Sequence, residues 1–122
     1  GGFGGYDLWI ARWNHGKKEW DTPTNLGPQI NTAFDEKSPY QRNSTTLYFS
    51  SNQVMGMGGY DIYCAKKNVD NNRFDVENMK YPINSAQDEL GIIFEKNTET
   101  GYLSSNREGG KGSFDIWRFH VK

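Results

Sequence analysis

Cysteine, histidine, proline and long apolar runs are all scarce in this 122-residue chain, and each scarcity removes a class of protein. The single cysteine, Cys64, excludes an intrachain disulfide and any multi-cysteine metal site; it reads as a small buried hydrophobe rather than a reactive thiol. Two histidines, His15 and His120, are too few and too poorly placed for a catalytic triad or a zinc set. No apolar run approaches the ~18 residues that a membrane span needs, so direct membrane insertion is not expected. Charge of one sign is also missing. The 14 Lys+Arg and 15 Asp+Glu are interspersed and net to −1, which predicts no electrostatic grip on nucleic acid or anionic lipid.

What is present is glycine, aromatic residues and a repeat. Hydrophobic residues make up 34% of the chain, yet 15% is aromatic, and each ring buries a large area, so a modest core is within reach. "GGYDLW" begins at Gly4, "GGYDIY" at Gly58 and "GSFDIW" at Gly112, each 54 residues after the last. "LYFSSN" from Leu47 returns as "GYLSSN" from Gly101, again 54 later. Asn43 to Lys66 and Asn97 to His120 share 10 identities in 24 positions, where chance would give roughly one or two. Two further markers, Ile30-Asn31 with Ile83-Asn84 and Asp35-Glu36 with Asp88-Glu89, recur at 53 instead. One residue is therefore expected to be missing between Asp75 and Ile83, in a loop.

Each period holds four short β-prone runs separated by turn chemistry: "DEKSPYQ", "TTLYFSS", "YDIYCAK" and "NRFDVEN". They predict an antiparallel meander with strands A to D, and no segment shows the 3.6-residue spacing of a helix. In the strand C copies both alternating faces are mostly apolar: Leu8, Ile62 and Ile116 on one, Trp9, Tyr63 and Trp117 on the other. A sheet of that kind must be covered on both sides. The all-β architecture that does this with four-stranded units is a β-propeller. Residues 1–31 then supply strands C and D of one blade, 32–84 a complete blade and 85–122 strands A, B and C of a third. A propeller typically has ~4–8 blades. These two and a quarter, opening on "GGFGG" without a Met, are expected to belong to a longer polypeptide.

"NLGPQINTAFDEKSP", "LYFSSN…GMGGYDIYCAKK" and "NMKYPINSAQDE" together resemble the WD-repeat-like propeller repeats of the TolB-like class. More narrowly, they resemble the form found in OmpA-type envelope proteins of gliding bacteria with type IX secretion. The resemblance spans essentially the whole chain. It implies a periplasmic, outer-membrane-associated location and a protein-interaction scaffold with other envelope proteins as partners. Peptidoglycan contact is implied only through a domain that these residues do not include. Gln53 where the repeat holds Arg107, and "NSTT" from Asn43 in place of an Asp-Gly turn, are the departures.

The residues offer little chemistry. "SSNQVMGMGGYDIY" looks like a phosphate loop, but a strand follows it rather than a helix, so Gly58 and Gly112 read as turn glycines that permit positive φ. Asp7, Asp61 and Asp115 hold one repeat position and are expected to accept hydrogen bonds from the preceding turn; a calcium reading has one carboxylate per site, too few. Asn52 and Asn106 end strand B and are expected to satisfy loop backbone groups. Adjacent acids such as Asp35 and Glu36 point to opposite faces of a strand, which makes neither pair an acid/base couple. No catalytic residue, metal site or cofactor is expected, and the chain reads as non-enzymatic. Two alternatives remain: a carbohydrate-binding propeller using Trp13, Trp20 and Tyr40, and a glycan hydrolase whose acids lie on other blades.

Overall fold

The computed structural model describes residues 2–122; Gly1, the first residue of the first predicted unit, lies outside them. The chain is all-β and every strand pairing is antiparallel. An interrupted hairpin comes first, in which β1 (Trp9–Ile10) pairs with β4 (Thr24–Asn25) and β2 (Trp13–Asn14) with β3 (Glu19–Trp20). A four-stranded meander follows: β5 (Glu36–Asn43), β6 (Thr46–Ser51), β7 (Asp61–Lys67) and β8 (Phe74–Asn78). Last is a three-stranded sheet of β9 (Glu89–Phe94), β10 (Thr100–Ser105) and β11 (Asp115–His120). None of these sheets closes on itself.

Among the described residues, the middle sheet is the only one covered on both faces. On one side Phe49, Tyr63 and Ala65 pack against Leu8 and Ile30 of the first unit. On the other, Tyr48, Ile62 and Cys64 pack against Ile92, Phe94 and Leu103 of the third sheet. The alternation along β7 makes this possible, because five consecutive residues, Asp61 to Ala65, are buried. Each large side chain so enclosed contributes roughly 1.5–3 kcal/mol. The rings add edge and stacking contacts, Tyr48 to Phe94 at 5.2 Å and Phe49 to Tyr63 at 5.8 Å between centroids.

Two-sided burial fails in the outer copies. Ile116, the counterpart of the fully buried Ile62, is 76% exposed, and Trp9, the counterpart of Tyr63, is 50% exposed. Ile116 holds the repeat position of Ile62 and Trp9 that of Tyr63, but among the described residues only the middle sheet has a neighbouring sheet on each side.

The residue that shifts the register from 54 to 53 is missing from a strand, not from the expected loop. Asn25 and Asn78 make the same side-chain bonds, accepting from Gly27 N and Asn31 Nδ2 in one unit and from Lys80 N and Asn84 Nδ2 in the other. They lie 53 apart, so the difference falls between Asp75 and Asn78, within β8. In the first unit the extra residue sits at Asp21–Pro23, the break between β3 and β4. Pro23 has no N–H to give the ladder, which suits it to an interruption.

Candidate functional site

The residues singled out by the repeat converge where each sheet meets the next. The carboxylate of Asp61 heads β7, and its Oδ2 accepts from the backbone N–H groups of Met57 and Gly58 in the preceding loop and from Asn78 Nδ2. Asp7 Oδ2 accepts from Phe3 N at 2.5 Å and Asn25 Nδ2 at 3.1 Å. Asp115 Oδ2 accepts from Lys111 N at 2.6 Å and Gly112 N at 3.3 Å. All three aspartates therefore tie a strand to the loop before it.

Two asparagines that the sequence marked only as repeat signposts do more. Asn84 is buried; its Oδ1 accepts from Ile62 N at 2.7 Å, and its Nδ2 donates to Ile62 O at 2.9 Å. Asn31 treats Leu8 identically, at 2.7 and 2.9 Å. Each side-chain amide thus mimics a strand partner for one residue of strand C, completing the ladder where β4 and β8 end. The recurrence of Ile-Asn at 53 was the available signal; nothing local told that its amide would reach back 22 or 23 residues.

The acidic pairs join consecutive units. Asp35 Oδ1 accepts from Tyr6 N, and Asp88 Oδ1 from Tyr60 N, both at 2.8 Å. The following backbone amides, Glu36 N and Glu89 N, donate to the carbonyls of the same tyrosines at 2.8 Å. Asn52 and Asn106 hold the other side: each Oδ1 accepts the N–H of Asp35 or Asp88 at 2.8 Å. Glu36 and Glu89 turn inward and are buried. Glu36 accepts from Thr32 N, Thr32 Oγ1 and Ser51 Oγ; Glu89 accepts from Ser85 N, Ser85 Oγ and Ser105 Oγ. Arg107 adds charge on Glu89 at 3.4 Å and donates to the carbonyls of Pro82 and Ile83, work that Gln53 does not share.

The glycines are explained differently from the expectation. Positive φ occurs at Gly27, Gly91 and Gly109, and not at Gly58 or Gly112. Gly58 is required by close approach: a Cβ there would strike the backbone carbonyls of Gln87 and Ala86, the loop entering the next sheet. Gly112 has no such neighbour, its nearest atom being Asp115 Oδ1 at 3.9 Å.

Where this seam reaches the surface, Lys37 lies between two rings, its Nζ 4.7 Å from the Tyr6 centroid and 5.0 Å from that of Tyr60. The Tyr60 hydroxyl donates to Asp35 at 3.3 Å. The Tyr6 backbone N–H holds the Asp35 carboxyl below its ordinary value, and the nearby Tyr60 hydroxyl holds the Lys37 ammonium above its own. Tyr6 and Phe34 stand exposed beside this cluster.

Of the candidate sugar-stacking residues, Trp13 and Trp20 form an exposed edge-to-face pair 5.4 Å apart. Tyr40 is instead half-buried, stacked on Phe94 with its hydroxyl donating to Phe94 O at 3.3 Å. Burial pushes the Cys64 thiol up, away from the reactive thiolate. His15 lies in the exposed β2–β3 turn, and His120 Nδ1 is 2.8 Å from Thr100 Oγ1. Among the described residues no group of three His, Cys, Asp or Glu side chains is arranged to hold a metal ion.

Comparison with protein-family models, curated proteins and solved structures finds no match to this chain.

Proposed function

We propose that the chain is part of a β-propeller that serves as a non-enzymatic protein-interaction scaffold. One observation carries the reading: the recurring acids and amides, Asp61, Asn84, Asp88 and Glu89 with their earlier copies, make the same hydrogen bonds in successive units, tying strand to loop and sheet to sheet. Carboxylates committed in that way build a stiff array and are poorly disposed to meet a substrate. In this reading β5–β8 is a whole blade, the first hairpin is strands C and D of the blade before it, and β9–β11 is strands A to C of the blade after it.

The exposed Tyr6 and Phe34, with the half-buried Tyr60, around Lys37 are the natural anchors for a protein partner, since aromatic side chains are enriched among the residues that carry interface energy. The sequence resemblance favours a bacterial envelope setting: the periplasm, associated with the outer membrane and with a type IX secretion or gliding assembly, with other envelope proteins as partners. A crystal structure of the intact polypeptide, with cell fractionation and proximity labelling in the source organism, tests this. A closed ring of blades and envelope neighbours are expected; an open stack, or a cytoplasmic protein, would reject it. The Trp13–Trp20 pair favours a second reading, a carbohydrate-binding propeller, and glycan-array binding that disappears in Trp20→Ala would establish it.

A further inference from the structure

Between the first hairpin and the middle sheet runs a groove of about 500 Å³, lined on one side by Leu8 and Ile10 and on the other by Pro39 and Gln41. The repeat register carries these four onto Ile62, Cys64, Ile92 and Phe94. At the next junction those residues do not border a groove; they enclose the side chain of Tyr48, from β6. The position 54 residues ahead of Tyr48 falls before residue 1. Ile10 is 36% exposed where its counterpart Cys64 is 7% exposed, so the groove has the place and surroundings of a missing aromatic side chain.

The backbone beside the groove is also unpaired. Leu8 O accepts from Leu26 N and Arg12 O from Asp21 N, so even-numbered residues here turn their polar groups toward β3 and β4. By the two-residue period of a strand, Trp9 and Ala11 turn theirs the other way, toward an edge that carries no strand among the described residues. Their counterparts Tyr63 and Ala65 face β6. Finally, Arg12 and Lys67 line one end of the groove, and the ion pairs among the described residues, Arg42–Glu99 and Arg107–Glu89, involve neither.

We propose that this groove is a strand-acceptor site, filled by an extended β6-type segment lying antiparallel along Trp9–Arg12, with an aromatic residue seated between Ile10 and Gln41. In the β6–β7 register Tyr48 lies opposite Cys64 and Thr46 opposite Lys66. The incoming segment therefore places the residue two before its aromatic beside Arg12, where a carboxylate is the fitting partner. The occupant comes from an adjoining repeat, which rests on the propeller reading; the groove and its register do not.

The test titrates the chain with a synthetic peptide of its own β6 sequence, Thr45 to Asn52, and with peptides carrying Tyr48→Ala or Thr46→Glu, followed by amide chemical shifts. Saturable shifts centred on Trp9 and Ala11 are expected, with affinity lowered at least about tenfold by Tyr48→Ala. Thr46→Glu is expected to tighten binding at low salt and to lose its advantage at high salt. No binding, binding indifferent to Tyr48→Ala, or shifts confined to β11 would overturn the inference. So would self-association of the chain that protects the Trp9 and Ala11 amides without peptide. A closed ring with the Trp9–Arg12 edge left bare would sink the acceptor site and spare the propeller; peptide binding by a chain whose intact form makes no ring would do the reverse.

Discussion

A side chain's worth in this protein depends on which unit it occupies, and the glycines make that measurable. Gly58→Ala pushes a methyl group into the carbonyls of Ala86 and Gln87 and is expected to cost about 1–3 kcal/mol, as overpacking does. Gly112→Ala, at the same repeat position with open space, should leave the urea midpoint nearly unchanged. Asn84→Ala strands the buried N–H of Ile62, whose carbonyl still accepts from Met79 N, for an expected loss of about 1–3 kcal/mol in denaturant titration. Asp35 carries a pH signature. Its folded pKa lies below the ordinary 3.8, chiefly through the Tyr6 N–H, so its contribution to stability is whole above that value and fades as pH falls through the folded pKa. Asp35→Asn should therefore lower the urea midpoint at about pH 7, and the gap from the parent should narrow at about pH 3.

Strand C shows the same dependence at the level of the element. β7 and β11 share "DI" and each follows a strand B and a GG or GS loop, but Arg118 and His120 stand where β7 has Cys64 and Lys66. β7 is buried on both faces, while β11 alternates half-buried and exposed. Ile62→Ala should cost about 2–5 kcal/mol, the range for emptying a packed site, and Ile116→Ala under about 0.5 kcal/mol, as for an exposed surface position. Equal losses at the two positions would mean that the third sheet is covered in solution. Strand positions were readable because turn residues and β-propensity are local properties. The two-residue period correctly announced two apolar faces on strand C, but it carries no information on whether a neighbour is there to cover them. The interruption of the first hairpin at Asp21–Pro23 was legible only once Asn25 and Asn78 were seen making equivalent bonds.

For the molecule as a whole, two apolar ends remain open. Trp9 and Trp13 stand on the outer side of the first hairpin, and Ile93 and Ile116 on the outer face of the third sheet. Contiguous apolar surface of that kind favours association. The 122-residue chain is expected to self-associate in sedimentation velocity as its concentration rises, through these side-chain faces and with the Trp9 and Ala11 amides left unprotected. Ile116→Lys should shift it toward monomer without moving its denaturation midpoint, because the side chain is 76% exposed.

By itself the sequence determined the period, the strands and the turns, and it named the residues that recur: Asp7, Asp61 and Asp115, Asn52 and Asn106, Gly58 and Gly112. Those features are encoded within a few residues of one another or in direct self-similarity. The tertiary structure alone decided what each is for. That Gly58 makes room for a neighbouring carbonyl, that Asn84 completes the ladder of Ile62, and that a buried Ile62 and a bare Ile116 share one pattern all depend on what packs alongside. Burial and hydrogen-bond partnership are properties of juxtaposed sheets, and no single strand contains them.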